Sequence, residues 1–396
     1  WKTRPTREAC GSCHDDLNFD TGLNHPGGAQ PNNGGCSLLF CHGSASLNPE
    51  AVHTIPQVEA AKAFQFIIDN VTNTGPGEFP VVTFSVKNPI DNTFYDILAD
   101  PAFTTPGDAR LAIDIGWDTR DYNNTGSEST PALPISINPV DNAITVDNGD
   151  GTFTTTSSTA ISLTATGTGA VAIEGHPAAD NPDTAGADFT LRVPVTSPVT
   201  FFAITDNTIV ERRQVIATSN CLKCHIVLSL HGNNRVVTAD TPENKLICVI
   251  CHNPNATDFN RRPSDPNDTT DGLKENSIDF KRMIHAIHAG GPDHGIREEG
   301  YVVYGFSGNP EDFGEVRFPG IINNCEGCHV PGEGTFVLPL GENVLDTTID
   351  TGADLADPGD DLNITKTAAV CTACHDSSIV QDHAVLNGAD FAFITP

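Results

Sequence analysis

A single methionine, Met283, four tyrosines and two tryptophans are all that these residue types contribute to 396 positions, and aromatics reach only 7%. A core built mainly from large aromatic side chains is therefore excluded. Basic residues are scarce as well: 21 Lys and Arg stand against 51 Asp and Glu, for a formal net charge of −30. Nucleic acid and anionic membrane surfaces are poor partners for such a chain. Its acidity suits a solvated surface, and equally one that attracts cations or basic partners. No apolar run is long enough to span a bilayer. No charged and apolar leader opens the chain at Trp1, so any secretion signal is expected to have been removed or to lie outside this sequence. Long helical patterns are missing too, and 35 Gly and 28 Pro favour loops and short strands. The length allows two to four domains.

What is present in quantity is paired cysteine. Twelve cysteines fall in six close pairs: Cys10 and Cys13, Cys36 and Cys41, Cys221 and Cys224, Cys248 and Cys251, Cys325 and Cys328, Cys371 and Cys374. Every pair is followed at once by histidine, at His14, His42, His225, His252, His329 and His375. Five pairs have the spacing CxxCH; the sixth, around Ser37 to Phe40, has four intervening residues. Two thiols so placed add to the two vinyl groups of one haem, and the adjacent imidazole is delivered to its iron from the same side. Zinc ribbons and redox disulfides also use close cysteine pairs, but neither requires His after each second Cys. Long-range disulfides remain an alternative, above all for the longer Cys36–Cys41 loop.

Eight further histidines remain: His25, His53, His176, His231, His285, His288, His294 and His383. With one methionine in the chain, His/Met ligation cannot be general. Six irons call for six more imidazoles, and two imidazoles per iron close both axial positions, as electron transfer requires. A helix is predicted over Ser277–Ala289, with a polar start at Asn276 and Ser277 and a Gly290-Gly291-Pro292 stop. It places His285 and His288 on one face, within reach of two neighbouring sites. His25, His53, His231 and His383 each follow a motif closely. The expected distal ligands are therefore His25, His53, His231, His285, His288 and His383. His176 lies in a stretch without Cys and His294 in a Gly-rich loop, and both are read as non-ligands.

The motifs form two blocks. Residues 1–54 carry two sites and residues 211–396 carry four. Between them, 55–210 holds no Cys and alternates apolar with polar residues. Val82, Phe84 and Val86 alternate with Thr83, Ser85 and Lys87; Leu111, Ile113 and Ile115 alternate with Ala112 and Asp114. AITVD and TFTTTS flank Asn-Gly-Asp-Gly, a hairpin signal. ISLTA, AVAIE, LRVPV and TFFAI read as further strands. The fold class expected is mixed: loop-rich haem segments with short helices flank an all-β split barrel or sandwich. Asp147 to Gly151 resembles a fragment of a calcium loop, and Asp346 to Asp361 carries six Asp; both are possible Ca²⁺ positions beside their readings as a hairpin turn and a solvated loop.

The segments REACGSCHDD with NHPGG, CLKCHIVLSLHGNNR, CVICHNPNATD and IDFKRMIHAIHAG together resemble the OmcA/MtrC family of outer-membrane multihaem cytochromes. That family alternates two split β-barrels with two pentahaem domains. The first two motifs here look like the last two of a first pentahaem domain, and the four later ones like the first four of a second. The resemblance implies a hexahaem relative or part of a longer protein. It implies extracellular electron transfer from the cell surface to metal oxides, flavins or partner cytochromes, with other multihaem cytochromes or identical subunits as partners; one extension of that reading is a filament of repeated head-to-tail contacts. It implies an electron-transfer protein rather than a classical enzyme. A reductase of a small inorganic substrate, or a periplasmic shuttle, is the alternative; the former needs an open iron position, and no CxxCK variant occurs. Mass spectrometry of the denatured protein is expected to show six haems retained; five, with Cys36 and Cys41 oxidised to a disulfide, would refute the longer motif.

Overall fold

The computed structural model describes the chain except for residues 1–3, 15, 45, 46, 54, 125–131, 182–185, 226, 243, 331–339, 356, 395 and 396. Its centre is two facing four-stranded antiparallel sheets. The first comprises β1 (Gln65–Thr72), β2 (Val81–Lys87), β5 (Thr145–Asp147) and β6 (Thr152–Thr156), in the order β1-β2-β6-β5. The second comprises β3 (Arg110–Trp117), β4 (Ile135–Ile137), β7 (Thr168–His176) and β8 (Val199–Ala203), in the order β8-β7-β3-β4. Phe66, Val82, Phe84 and Phe153 from one sheet meet Ile113, Ile115, Val171 and Ile173 from the other in one core. The sheets do not close into a barrel, so the sandwich alternative describes the β domain.

The hairpin signal is met: β5 pairs antiparallel with β6 across Asn148 to Gly151, with Gly149 and Gly151 at φ of 78° and 90°, where Gly carries no Cβ penalty. Two other strand readings are corrected. Ile161–Ala165 turns, because Ser162 bonds locally to Thr164 and Ala165 N–H to the Ser162 carbonyl. Of LRVPV only Leu191–Arg192 is strand, since Pro194 has no N–H for a ladder. The strand read at Leu111 to Ile115 is present as β3 and is buried from Leu111 to Trp117. Its second face is covered too: Ala170, Ala172, Val199 and Phe201 pack against Leu246, Ile247, Val249 and Ile250.

Outside the sandwich the elements are short: α1 (Arg7–Gly11), α2 (Pro49–Val52), α3 (Thr218–Cys221), α4 (Cys248–Cys251), α5 (Phe280–Ala289), α6 (Lys366–Cys374) and α7 (Ser378–Leu386), with two-stranded ribbons such as β9 (Leu228–Leu230) and β10 (Arg235–Val237) between them. Helix α5 begins three residues later than Ser277, because the Asp279 carboxylate caps it by accepting from Lys281 N–H at 3.3 Å. Gly290 ends it at φ 66°. A buried ion-pair network braces its approach. Arg262 Nε donates to Asp258 at 2.9 Å and Nη1 to Asp271 at 2.5 Å, while Asp258 accepts from Asn276 and Tyr304 N–H. Both Arg212 and Arg213 reach Asp121, tying residues 211–213 to the sandwich. No helix among the described residues is long and apolar enough to cross a membrane.

Helix α4 sits directly on β3. A Cβ added to Gly116 would come within 2.8 Å of Ile250 Cγ2 and of Asn124 Oδ1, and Asn124 donates to the Ile250 carbonyl at 2.8 Å. Gly116→Val is expected to destabilise the protein by about 1–3 kcal/mol through overpacking. The denaturation midpoint measures it; an unchanged midpoint would mean that the helix is not seated on the strand.

Candidate haem sites

Each five-residue motif closes on itself in one helical turn. The histidine N–H donates to the first cysteine's carbonyl: His14 to Cys10 at 2.9 Å, His225 to Cys221 at 3.0 Å, His252 to Cys248 at 2.8 Å, His329 to Cys325 at 2.9 Å and His375 to Cys371 at 3.0 Å. The seven-residue motif recovers the same bond, His42 N–H to the Cys36 carbonyl at 3.1 Å, by bulging between the cysteines. Leu39 and Phe40 at the bulge are 80% and 79% exposed. No disulfide joins any of the twelve cysteines.

Two imidazoles on opposite sides of one iron, each about 2 Å from it, hold their ring centroids about 6 Å apart. Four histidine pairs have this separation. His14 and His53 lie 6.0 Å apart, His225 and His288 6.3 Å, His231 and His252 5.9 Å, and His285 and His329 6.0 Å. Each pair joins one motif histidine to one histidine from elsewhere in the chain. His25 and His42 line a common cavity with Cys10, Cys36, Cys41 and Phe19. His375 and His383 are both exposed, no ring contact joins them among the described residues, and His383 Nε2 faces the Asn387 amide at 3.4 Å.

The second nitrogen of these rings is occupied in a consistent way. Nδ1–H donates to a backbone carbonyl from His25 (Gly28, 2.8 Å), His42 (Leu47, 3.1 Å), His53 (Pro49, 2.7 Å), His252 (Ile278, 2.9 Å), His285 (Lys281, 2.6 Å) and His288 (Ile284, 2.8 Å). Such a bond sets the tautomer and leaves Nε2 for a metal. A ligand imidazole must also be neutral. Burial holds His252 and His285 below the usual range, and burial, then Arg235 and His252, pushes His231 down to about 4. The donor set, spacing and tautomers all fit haem. By contrast His294 Nε2 is engaged with Glu315 at 2.9 Å. His176 is buried at the end of β7, where its Nδ1–H donates to the Asp108 carbonyl.

The motifs of the second block neighbour one another in an order that differs from the chain. The Cys248 and Cys221 thiols lie within electrostatic range of each other, as do Cys224 with Cys328 and Cys325 with Cys374. Ala217 N–H donates to the Cys328 carbonyl at 2.9 Å, and Ile216 bridges to His329. Helix α5 spans the middle pair, with His288 facing His225 and His285 facing His329. In the first block Cys10 and Cys36 line one cavity, within electrostatic range of each other. The spatial succession is thus Cys248, Cys221, Cys325, Cys371.

At the two calcium candidates the carboxylates serve their own turns. Asp147 accepts from Gly149 N–H and Asp150 from Thr152, and Asp360 accepts from Ala353 and Asp354 N–H. Among the described residues no group of three or more His, Cys, Asp or Glu is placed to hold a metal ion. Three charged residues beside α4 were not singled out in the sequence: Asp114 and Glu174, both buried, and the largely buried Arg235.

Residues 213–393 match the family model for outer membrane cytochrome MtrC/MtrF-like proteins, domains II/IV. No curated protein matches the chain. The crystal structure of the outer membrane decaheme cytochrome OmcA is similar at 16% identity over 85% of this chain and 46% of that one, with a TM-score of 0.49, so the chain spans less than half of that protein's length. Residues 213–393, which carry four of the six motifs, are thus similar to domains II/IV of the MtrC/MtrF-like outer membrane cytochromes.

Proposed function

We propose that the chain is a hexahaem c-type cytochrome that conducts electrons at the outer surface of the cell, toward metal oxides, flavins or partner cytochromes. Each cysteine pair would hold one haem through two thioethers, with its motif histidine as proximal ligand. The distal ligands would be His53 for the His14 site, His25 for the His42 site, His288 for the His225 site, His231 for the His252 site, His285 for the His329 site and His383 for the His375 site. The observation that carries this reading is the set of four imidazole pairs near 6 Å. Bound haem iron supplies one-electron exchange between its ferric and ferrous states. The chain's residues set the sites side by side, favour neutral imidazoles at His225, His231, His252 and His285, and shield the inner sites from water by packing α4 against the sandwich and α5 against α6. The three segments, 1–54, 55–210 and 211–396, would then be a two-site block, a haem-free spacer or docking domain, and a four-site block.

The exposure of His375 and His383 favours a second reading for that one site. It would be either an open coordination position or a terminal contact where a further subunit or cytochrome docks, as in a head-to-tail filament. The oxidised protein's electron paramagnetic resonance separates these from the leading reading, in which every iron is low-spin. His285→Ala is expected to turn the His329 site high-spin and His288→Ala the His225 site, each without loss of covalent haem. Unchanged low-spin spectra in both variants would refute the pairing across α5. A high-spin fraction already in the unaltered protein would assign the open position, and its disappearance on self-association would assign the terminal contact.

A further inference from the structure

The face of β3 and β7 that meets the four-motif block carries small residues and two acids. Ala112, Asp114 and Gly116 lie on it, opposite Glu174, Ala172 and Ala170 in the antiparallel register. Asp114 and Glu174 are thus diagonal neighbours on one face, both buried, at 2% and 0% exposure. Asp114 Oδ2 has no hydrogen-bond partner. Glu174 is held between Arg110, which is 47% exposed and donates at 2.8 Å, and the largely buried Arg235. Over the same face lies α4 with Cys248 and Cys251, and Asp114, Glu174 and Arg235 all act on Cys251 electrostatically. Arg235 also opposes a charge on His231. Two carboxylates and one inner arginine therefore share a poorly hydrated space with one candidate haem site.

We propose that Asp114, with Glu174 and Arg235, forms a redox-linked proton site: one electron gained at the Cys248–Cys251 site is matched by one proton taken up at Asp114 Oδ2, and loss of the electron releases it. The inference rests on reading Cys248, Cys251, His252 and His231 as a haem site. The electron comes from the neighbouring Cys221 site in the relay and the proton from solvent. The charges balance: an added negative charge nearby favours the neutral acid, and in a low-dielectric space that coupling is strong. The groups facing Asp114 are Arg110 on its own strand, Ser136 on β4, Glu174 on β7, Arg235 on β10 and Cys251 on α4. Burial first and Glu174 second raise the Asp114 carboxyl to about 7, against the opposing pull of Arg235, Ser136 and Arg110, so the group stands where a nearby electron tips it.

The test is reduced-minus-oxidised infrared difference spectroscopy of the haem-loaded protein between about pH 5 and 9, run beside a potentiometric titration. Reduction near pH 7 is expected to produce a protonated-carboxyl stretch, and one potential component is expected to fall with pH at one proton per electron. Asp114→Asn should abolish the band and flatten that component, while Glu174→Gln, which removes the repelling charge, should move both to lower pH. Absence of the band in the unaltered protein, or its persistence in Asp114→Asn, overturns the proposal. Peptide mapping separates the two failures: haem present on Cys248 and Cys251 without the band sinks the proton site alone, whereas no haem on those cysteines sinks the haem reading with it.

Discussion

Everything in the candidate sites depends on one backbone hydrogen bond, from the motif histidine's N–H back to the carbonyl of the first cysteine. It closes a single turn that turns two thiols and one imidazole toward a common space. A turn of four or five residues has little stability of its own. The motifs therefore need support from outside, and each finds it differently: α4 on the sandwich, α6 against α5, and the segment before Cys221 against the strand-like stretch at His329. The bulged Cys36 motif reaches the same closure with two more residues, which shows that the bond and not the spacing is the constraint.

The β sandwich is more than a spacer in this arrangement. Its second sheet is buried on both faces, one by the sandwich core and the other by the Cys248 helix. Sheets meet helices closely only where side chains are small, and Ala170, Ala172 and Gly116 provide that clearance. Into this small-residue face the chain sets Asp114, whose ionised form burial disfavours, and Glu174, which pairs with Arg110 and Arg235. A purely structural interface of the same shape would be served as well by apolar residues, which is why this pair invites a functional account.

Much of the candidate site was legible in the chain itself. The motifs are local, so the six cysteine pairs and the histidine after each are written in consecutive residues, and His285 and His288 share a face by helical arithmetic. The alternation of β2, β3 and β7 was equally readable, since strand periodicity is a property of the backbone. Where the reading failed, a non-local effect had intervened. Ile161–Ala165 turned because hydroxyls captured the backbone, LRVPV lost its ladder at Pro194, and α5 began at the residue whose carboxylate could cap it.

The amino-acid sequence alone determined the number and chemistry of the motifs, the acidic charge and the presence of a cysteine-free β segment, because each depends on residue type and short spacing. Only the tertiary structure decided which imidazole faces which, the succession Cys248, Cys221, Cys325, Cys371, and the burial of Asp114. Those properties arise from surfaces brought together across more than a hundred residues. Local spacing holds no record of which surface a strand's polar face will meet.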